Sequence, residues 1–216
     1  MIKENIVLLP CCYLPPISYF SVWLNSPAVW IEQHENFVKS TFRNRCVIVG
    51  TNGKLMLSIP IEGGKSHRQL FKDTRIDNSQ RWQRIHWQSL CSAYRRSAYF
   101  EYFEEKLFPY YHQKFTFLFD YNLQLTSLLL SMMKHTTTFS TTKYYQKIYE
   151  AQILDLRECF STSDSYSFGK YSFSPPHYFQ CFEERNGFLP NVSVVDILFN
   201  MGPACGSMIK DTLCVL

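Results

Sequence analysis

Between His34 and Cys46 the chain reads HENFVKSTFRNRC, a run dense in groups that do chemistry. His34 follows the apolar run Ala28 to Ile31, at the place where a strand would end. An imidazole gains and loses a proton near neutral pH, so His34 suits general-base work. Arg43 and Arg45 lie two apart, which on an extended chain points both guanidinium groups to one face. That face would grip a phosphate or carboxylate through paired hydrogen bonds. The competing reading pairs the two arginines with Glu32, Glu35 or Asp73. Lys39, Thr41 and Asn44 add polar groups to the same stretch. Tyr13 and Tyr19 flank the end of the first apolar run, Ile6 to Leu9, and either contact a ligand there or pack in the core. His86 is a candidate second acid or base, although its neighbours Ile85 and Trp87 also fit a core histidine. Trp82 and Trp87 read as packing, and Asp196 as a helix cap. No GxSxG, HExxH, P-loop or DxD pattern supplies a nucleophile or a metal site, and none of the eight cysteines is next to a histidine.

The elements that must position these groups follow from pattern. Ile6 to Leu9, stopped by Pro10, reads as a fully buried strand. Pro15 and Pro16 precede an aromatic stretch suited to a helix from Pro16 to Leu24, since proline is tolerated in a helix's first turn. Ala28 to Ile31 is a second strand, making a short crossover unit. A strand running into a helix N-terminus leaves free N–H groups of the kind that bind anions in open α/β sheets, though no glycine-rich loop is present. Cys46 to Val49 and Leu55 to Ile61 flank Thr51-Asn52-Gly53, a hairpin turn in which Asn and Gly accept positive φ. Glu62 to Ser66 is a flexible connection, and short strands follow at Arg68 to Lys72 and Thr74 to Ile76. Asp77 with Gln80 forms a capping box opening a helix over Ser79 to Tyr94. Further helices are predicted over Phe100 to Leu107, interrupted near Pro109, and over Phe115 to Met133. Thr136 to Thr142 is a loop or edge strand, and Lys143 to Glu158 has no clear period. Ser161 to Pro176 is the most loop-like segment. Tyr178 to Arg185 and Ser193 to Asn200 form a last helix pair, the second opened by Ser193 and Asp196 and closed by Gly202.

The 216 residues fit a single domain, with residues 1–76 mainly sheet, 77–203 mainly helical and 204–216 a tail. The fold class is α/β: a small mixed sheet with parallel core strands near the N-terminus, an antiparallel hairpin at 46–61, and a helical C-terminal half. Aromatic residues make up 17% of the chain, enough to fill a large core and to line a pocket with tyrosines. A net charge of +4 admits an anionic small molecule but falls short of a DNA-binding footprint. Basic residues interleaved with aromatics at 81–102 lie close to Glu101, Glu104 and Glu105, so nucleic acid ranks last among partners. Cysteine spacing lacks CxxC and CxxH, which argues against zinc, and no other cofactor is indicated. The first residues do not read as a signal peptide, and Leu123 to Met133 is too short to span a bilayer, so a soluble cytoplasmic protein with reduced thiols is expected. The sequence does not specify an oligomeric state.

Five stretches, LPPISYF (14–20), HENFVKSTFRNRC (34–46), WQRIHWQSLCSAYRRS with YFEYFEE (82–105), FLFDYN (117–122) and GFLPNVSVVDILFNMGP (187–203), together resemble the WbqC-like protein family. They occur in the family's order over nearly the whole chain, and only the tail CGSMIKDTLCVL departs from it. The resemblance implies a cytosolic protein of surface-polysaccharide (O-antigen-type) biosynthesis. It further implies a transferase placing an acyl or aminoacyl group on a nucleotide-linked amino sugar. The partners would then be a nucleotide sugar and an activated acyl or aminoacyl donor. Lys39, Thr41, Arg43, Asn44 and Arg45 match the family's charged motif. A non-catalytic module binding the same ligand for a partner enzyme is the alternative.

Overall fold

The computed structural model describes residues 1–63, 69–136, 138–160 and 166–215. In chain order the strands are β1 (Ile6–Pro10), β2 (Val29–Glu32), β3 (Arg45–Gly50), β4 (Gly53–Ser58), β5 (Phe139–Thr141), β6 (Ile153–Asp155), β7 (Ser167–Phe168), β8 (Tyr171–Phe173) and β9 (Leu213–Val215). The helices are α1 (Ile17–Leu24), α2 (Trp82–Tyr94), α3 (Phe100–His112), α4 (Leu118–Met132), α5 (Glu183–Asn186), α6 (Val194–Met201) and α7 (Cys205–Lys210). The architecture is the expected mixed α/β class.

Four short strands make a wholly parallel sheet in the order β5-β2-β1-β6. β1 is central, and Val7, Leu8 and Leu9 are completely buried, as the two covered faces of a parallel sheet require. α1 joins β1 to β2 and is buried at every residue. Trp23 of α1 meets Phe139 of β5 edge-on, with ring centroids 5.4 Å apart. Side chains alternate along each strand, so Val7, Leu9, Val29 and Ile31 share one face of the sheet. In register on the other face are Leu8 and Trp30, with Ser140 beside Trp30 and Asp155 beside Leu8. An irregular segment, 142–152, joins β5 to β6.

The chain adds β2 and then β5 on one side of β1, then crosses back to lay β6 on the other. β1 is continued by α1 on the β2 side, whereas β6 is the last strand of this sheet and the next strand in the chain, β7, belongs to a separate three-stranded sheet. The C-terminal ends of the strands are the usual ligand side of open α/β sheets.

Several expectations change in detail. In the hairpin β3–β4 only Gly53 takes positive φ, at +101°; a following glycine supplies the left-handed residue, so Asn52 does not need to. Phe71–Asp73 is a single 3-10 turn, and Ile76 and Arg75 make isolated bridges to Ile61 and Phe117, so the two strands predicted there are not formed. Residues 64–68 of the predicted connection and of the Arg68 strand lie outside the described residues. Asp77 accepts bonds from Ser79 and Gln80 at 2.6 to 3.0 Å, stabilising a turn ahead of α2 instead of capping it. α3 runs through Pro109 to His112, with Phe103, Leu107 and Tyr111 buried along one stripe. Burial of that stripe outweighs the hydrogen bond that the proline cannot donate. β5 forms as the edge-strand alternative for Thr136 to Thr142, and β6 adds a strand in the stretch without a clear period, so the half expected to be mainly helical also supplies strands. Residues 161–165 of the loop-like Ser-rich segment lie outside the described residues, and the rest forms β7 and β8. Tyr178 to Arg185 is helical only from Glu183. The tail is integrated: β9 pairs with β8, and Asn25 Nδ2 donates to the Lys210 carbonyl at 2.7 Å.

Candidate functional site at the C-terminal ends of the parallel strands

Glu32 ends β2 and is completely buried. Its Oε1 accepts the His34 N–H at 2.7 Å and the Thr142 hydroxyl at 2.7 Å. Its Oε2 takes Arg157 Nη1 at 3.3 Å. Arg157, two residues beyond the end of β6, also grips Asp155 through Nε at 2.9 Å and Nη2 at 2.6 Å. Its Nη1 donates to the Gln146 carbonyl at 2.9 Å, and the Tyr145 and Tyr149 rings each lie 5.1 Å from its guanidinium carbon. One arginine thus ties β2, β6 and the 142–152 segment together.

A second pair adjoins the first. Arg43 Nε and Nη2 donate to the two Glu35 oxygens at 2.7 Å each, and Nη2 reaches the Arg157 carbonyl at 3.2 Å. Burial opposes the Arg43 charge, but the paired Glu35 carboxylate outweighs it and leaves the guanidinium harder to deprotonate than usual. Burial likewise works against Arg157, and Asp155 and Glu32 more than offset it. Buried charges of this kind persist only when partnered and hydrogen-bonded. The result is a rigid ionic rim on which His34 is mounted through its own backbone N–H.

The sequence-predicted residues divide between this rim and the core. His34 sits on the rim, half-buried. Arg43 lies in a turn before β3, so the extended-chain reasoning that paired it with Arg45 fails. Its fork is filled by Glu35, as the ion-pair reading of the sequence allowed, and it is only 2% exposed. Thr41 accepts the Arg43 N–H at 3.3 Å and donates its hydroxyl to the Val38 carbonyl. Asn44 closes the hairpin base, donating to the Ile59 carbonyl at 3.0 Å while accepting the Ile59 N–H at 2.8 Å. Arg45 opens β3 opposite Ser58, half-buried, and its Nε has no hydrogen-bond partner among the described residues. Lys39 is exposed on the loop.

Tyr13 and His86 come together, but inside the protein. The Tyr13 hydroxyl is 2.9 Å from His86 Nδ1 and 3.1 Å from the Tyr111 hydroxyl, and all three residues are buried. Burial pulls the His86 pKa down to about 4, keeping the ring neutral, and burial pushes the Tyr13 phenol up. Tyr19, also buried, donates to the Pro10 carbonyl at 2.9 Å. These three serve the core and do not face the rim.

Thr142, Asp155 and Arg157 were not among the sequence candidates, and Glu32 entered only as a possible partner of Arg43 or Arg45. The one local signal for them was acidic residues ending apolar strand runs, Ile31-Glu32 and Leu154-Asp155.

A protein of Mycobacterium tuberculosis (strain ATCC 25618 / H37Rv), the uncharacterized protein Rv1507c, is similar to this chain. It is 23% identical over 219 residues, an alignment covering 92% of this chain and 94% of the relative. No solved structure matches. No helix among the described residues is long and apolar enough to cross a membrane. The profile of the WbqC-like protein family matches residues 11–170, a span that contains the whole ionic rim and helices α1 to α4; the chain belongs to that family.

Proposed function

We propose that this chain is a cytoplasmic transferase of surface-polysaccharide biosynthesis that moves an acyl or aminoacyl group onto a nucleotide-linked amino sugar. The observation that carries this reading is the mounting of His34. A half-buried histidine stands just beyond the C-terminal end of β2, its backbone held by a fully buried carboxylate. In the proposed step the sugar's amine nitrogen attacks the donor's carbonyl carbon and forms the new C–N bond. His34 takes the proton released from nitrogen. The bond from the carbonyl carbon to the donor's leaving group breaks, and the departing group carries off the electron pair and receives that proton. A hydroxyl acceptor would react in the same way through oxygen.

Arg45 is the anion ligand in this scheme, because the residue as a whole is only half-buried and no acidic side chain among the described residues pairs with it, although its Nε is itself shut in. Lys39 and Thr41 belong to the same loop and assist it. Arg43, already gripped by Glu35, positions the loop instead of the ligand. A general base is worth roughly 10²–10⁴-fold in rate, so His34→Ala should cut turnover by about that factor with an unchanged melting temperature. Full activity in that variant would remove His34 from the mechanism. If nucleotide sugars raise stability by about 2.7 kcal/mol at 100 times their Kd, yet no donor yields product, the chain is a binding module and not a transferase.

A further inference from the structure

Parallel sheets are normally covered on both faces by helices. Here the face bearing Ile6, Trp30 and Ile153 is roofed instead by the irregular segment 142–152, and a cavity of about 550 Å³ lies between them. That volume falls within the range of small-molecule sites. None of His34, Arg43 or Arg45 lines it.

Its lining has a definite chemistry. Trp30 supplies a half-exposed ring on the sheet, and Tyr144 and Tyr149 supply two more from the roof. Trp23, Trp82 and Trp87 each pack against other rings, whereas Trp30 makes no ring contact among the described residues. Neutral hydrogen-bonding groups surround these rings, among them the amides of Asn5 and Gln152 and the hydroxyl of Ser140. Among the described residues the only charged side chains in the lining are Lys143 and Glu150, and they cancel.

We infer that this cavity is a binding site for an uncharged saccharide ring. Aromatic faces match the apolar C–H face of a pyranose, and amides and hydroxyls match its equatorial hydroxyl groups. A phosphate would meet no net positive charge there, and a hydrocarbon chain would leave unused the hydrogen-bonding capacity that Asn5 and Gln152 keep beyond their own 3.3 Å bond. Roof and floor are already held together, because Arg157 ties the Gln146 carbonyl to β6. The site is therefore largely preformed. It does not depend on the transferase reading, since free sugar should bind without any donor.

The test uses the full-length protein with ¹⁵N-labelled indoles and the Trp30 N–H signal assigned from Trp30→Phe. Glucose, galactose, mannose and N-acetylglucosamine are titrated separately, with AMP and sodium octanoate as contrasting probes. At least one sugar should shift the Trp30 signal while leaving those of Trp23 and Trp82 unmoved. Tyr144 is 62% exposed, so Tyr144→Ala should keep the fold and weaken that sugar roughly tenfold, about the loss of one ring contact. His34→Ala should leave sugar binding unchanged even where it abolishes turnover. No response to any of the four sugars, a response to AMP or octanoate alone, or undiminished binding in Tyr144→Ala would each overturn the assignment.

Discussion

At the scale of single residues, Glu35 and Arg43 set the shape of the rim. Two hydrogen bonds of 2.7 Å join them where both side chains are shut off from water, 6% and 2% exposed. The turn they brace carries two further contacts: the Tyr13 N–H donates to the Phe42 carbonyl at 2.8 Å, and Asn122 Nδ2 to the Arg43 carbonyl at 2.7 Å. The pair thus fastens the loop to the end of β1 and to α4. A buried pair gives little net stability over an apolar replacement, but breaking it strands a charge. Glu35→Ala should therefore cost about 3–5 kcal/mol in urea denaturation, because the buried Arg43 charge is left with neutral acceptors and the solvent-exposed Glu158 carboxylate at 3.8 Å. Replacing both residues together, as Glu35→Leu with Arg43→Met, should cost far less than the single change. If Glu35→Ala loses under about 1 kcal/mol, the pair behaves as a surface ion pair and does not brace the rim.

Among elements, the junction from α6 to α7 is held by one glycine. Gly202 has φ +66° and ψ −156°, a region essentially closed to other residues, and an added Cβ would come within 2.6–2.7 Å of the Tyr99 ring. The Tyr99 backbone is held by its N–H bond to the Phe199 carbonyl at 2.9 Å, so relief would have to come from rotating the ring. Gly202→Ala should then cost about 2–3 kcal/mol, combining backbone strain with overpacking. Gly187 is the useful contrast: it has φ +70°, but a Cβ added there would meet nothing within 4 Å, so Gly187→Ala should show the backbone cost alone. Equal losses of melting temperature in the two variants would mean that the Tyr99 contact contributes nothing. Gly202 was legible in the sequence as a helix stop, and so were β1, α1 and the hairpin, because each is written in local pattern. β6 was not legible, and β5 only as the edge-strand alternative for Thr136 to Thr142. Each is three residues long and becomes a strand only by pairing with β2 or β1. The rim suffered similarly, since Glu32 and Arg157 meet across 125 residues of chain. The chemistry of the Arg43 side chain could be read from its type, but its use required knowing that the backbone there turns instead of extending.

Over the whole molecule, two buried titrating groups oppose one another in acid. Asp196 is completely buried; burial lifts its pKa from 3.8 to about 6, against the pull of the Tyr178 hydroxyl at 2.6 Å and Gln180 Nε2 at 2.8 Å. A carboxyl raised on folding stabilises the folded state when protonated, so its contribution is complete below pH 3.8 and is lost as pH rises through 6. His86 works the other way. Burial lowers its pKa from 6.5 to about 4, so its contribution is complete above 6.5 and is lost as pH falls through 4. Each shift corresponds to about 3 kcal/mol at its extreme. Between pH 6.5 and 4 the gain at Asp196 therefore offsets the loss at His86, although one ties the 178–189 segment to α6 and the other joins α2 to Tyr13. Substituting either group should unmask its opponent. Relative to wild type, Asp196→Asn should lose up to about 3 kcal/mol more stability on acidification from pH 7 to 4, and His86→Phe should gain a similar amount. Urea denaturation at half-unit pH steps reads both differences, and comparison with wild type at each pH cancels the other titrating groups. Parallel pH profiles for wild type and both variants would show that neither group carries a shifted pKa in the folded protein.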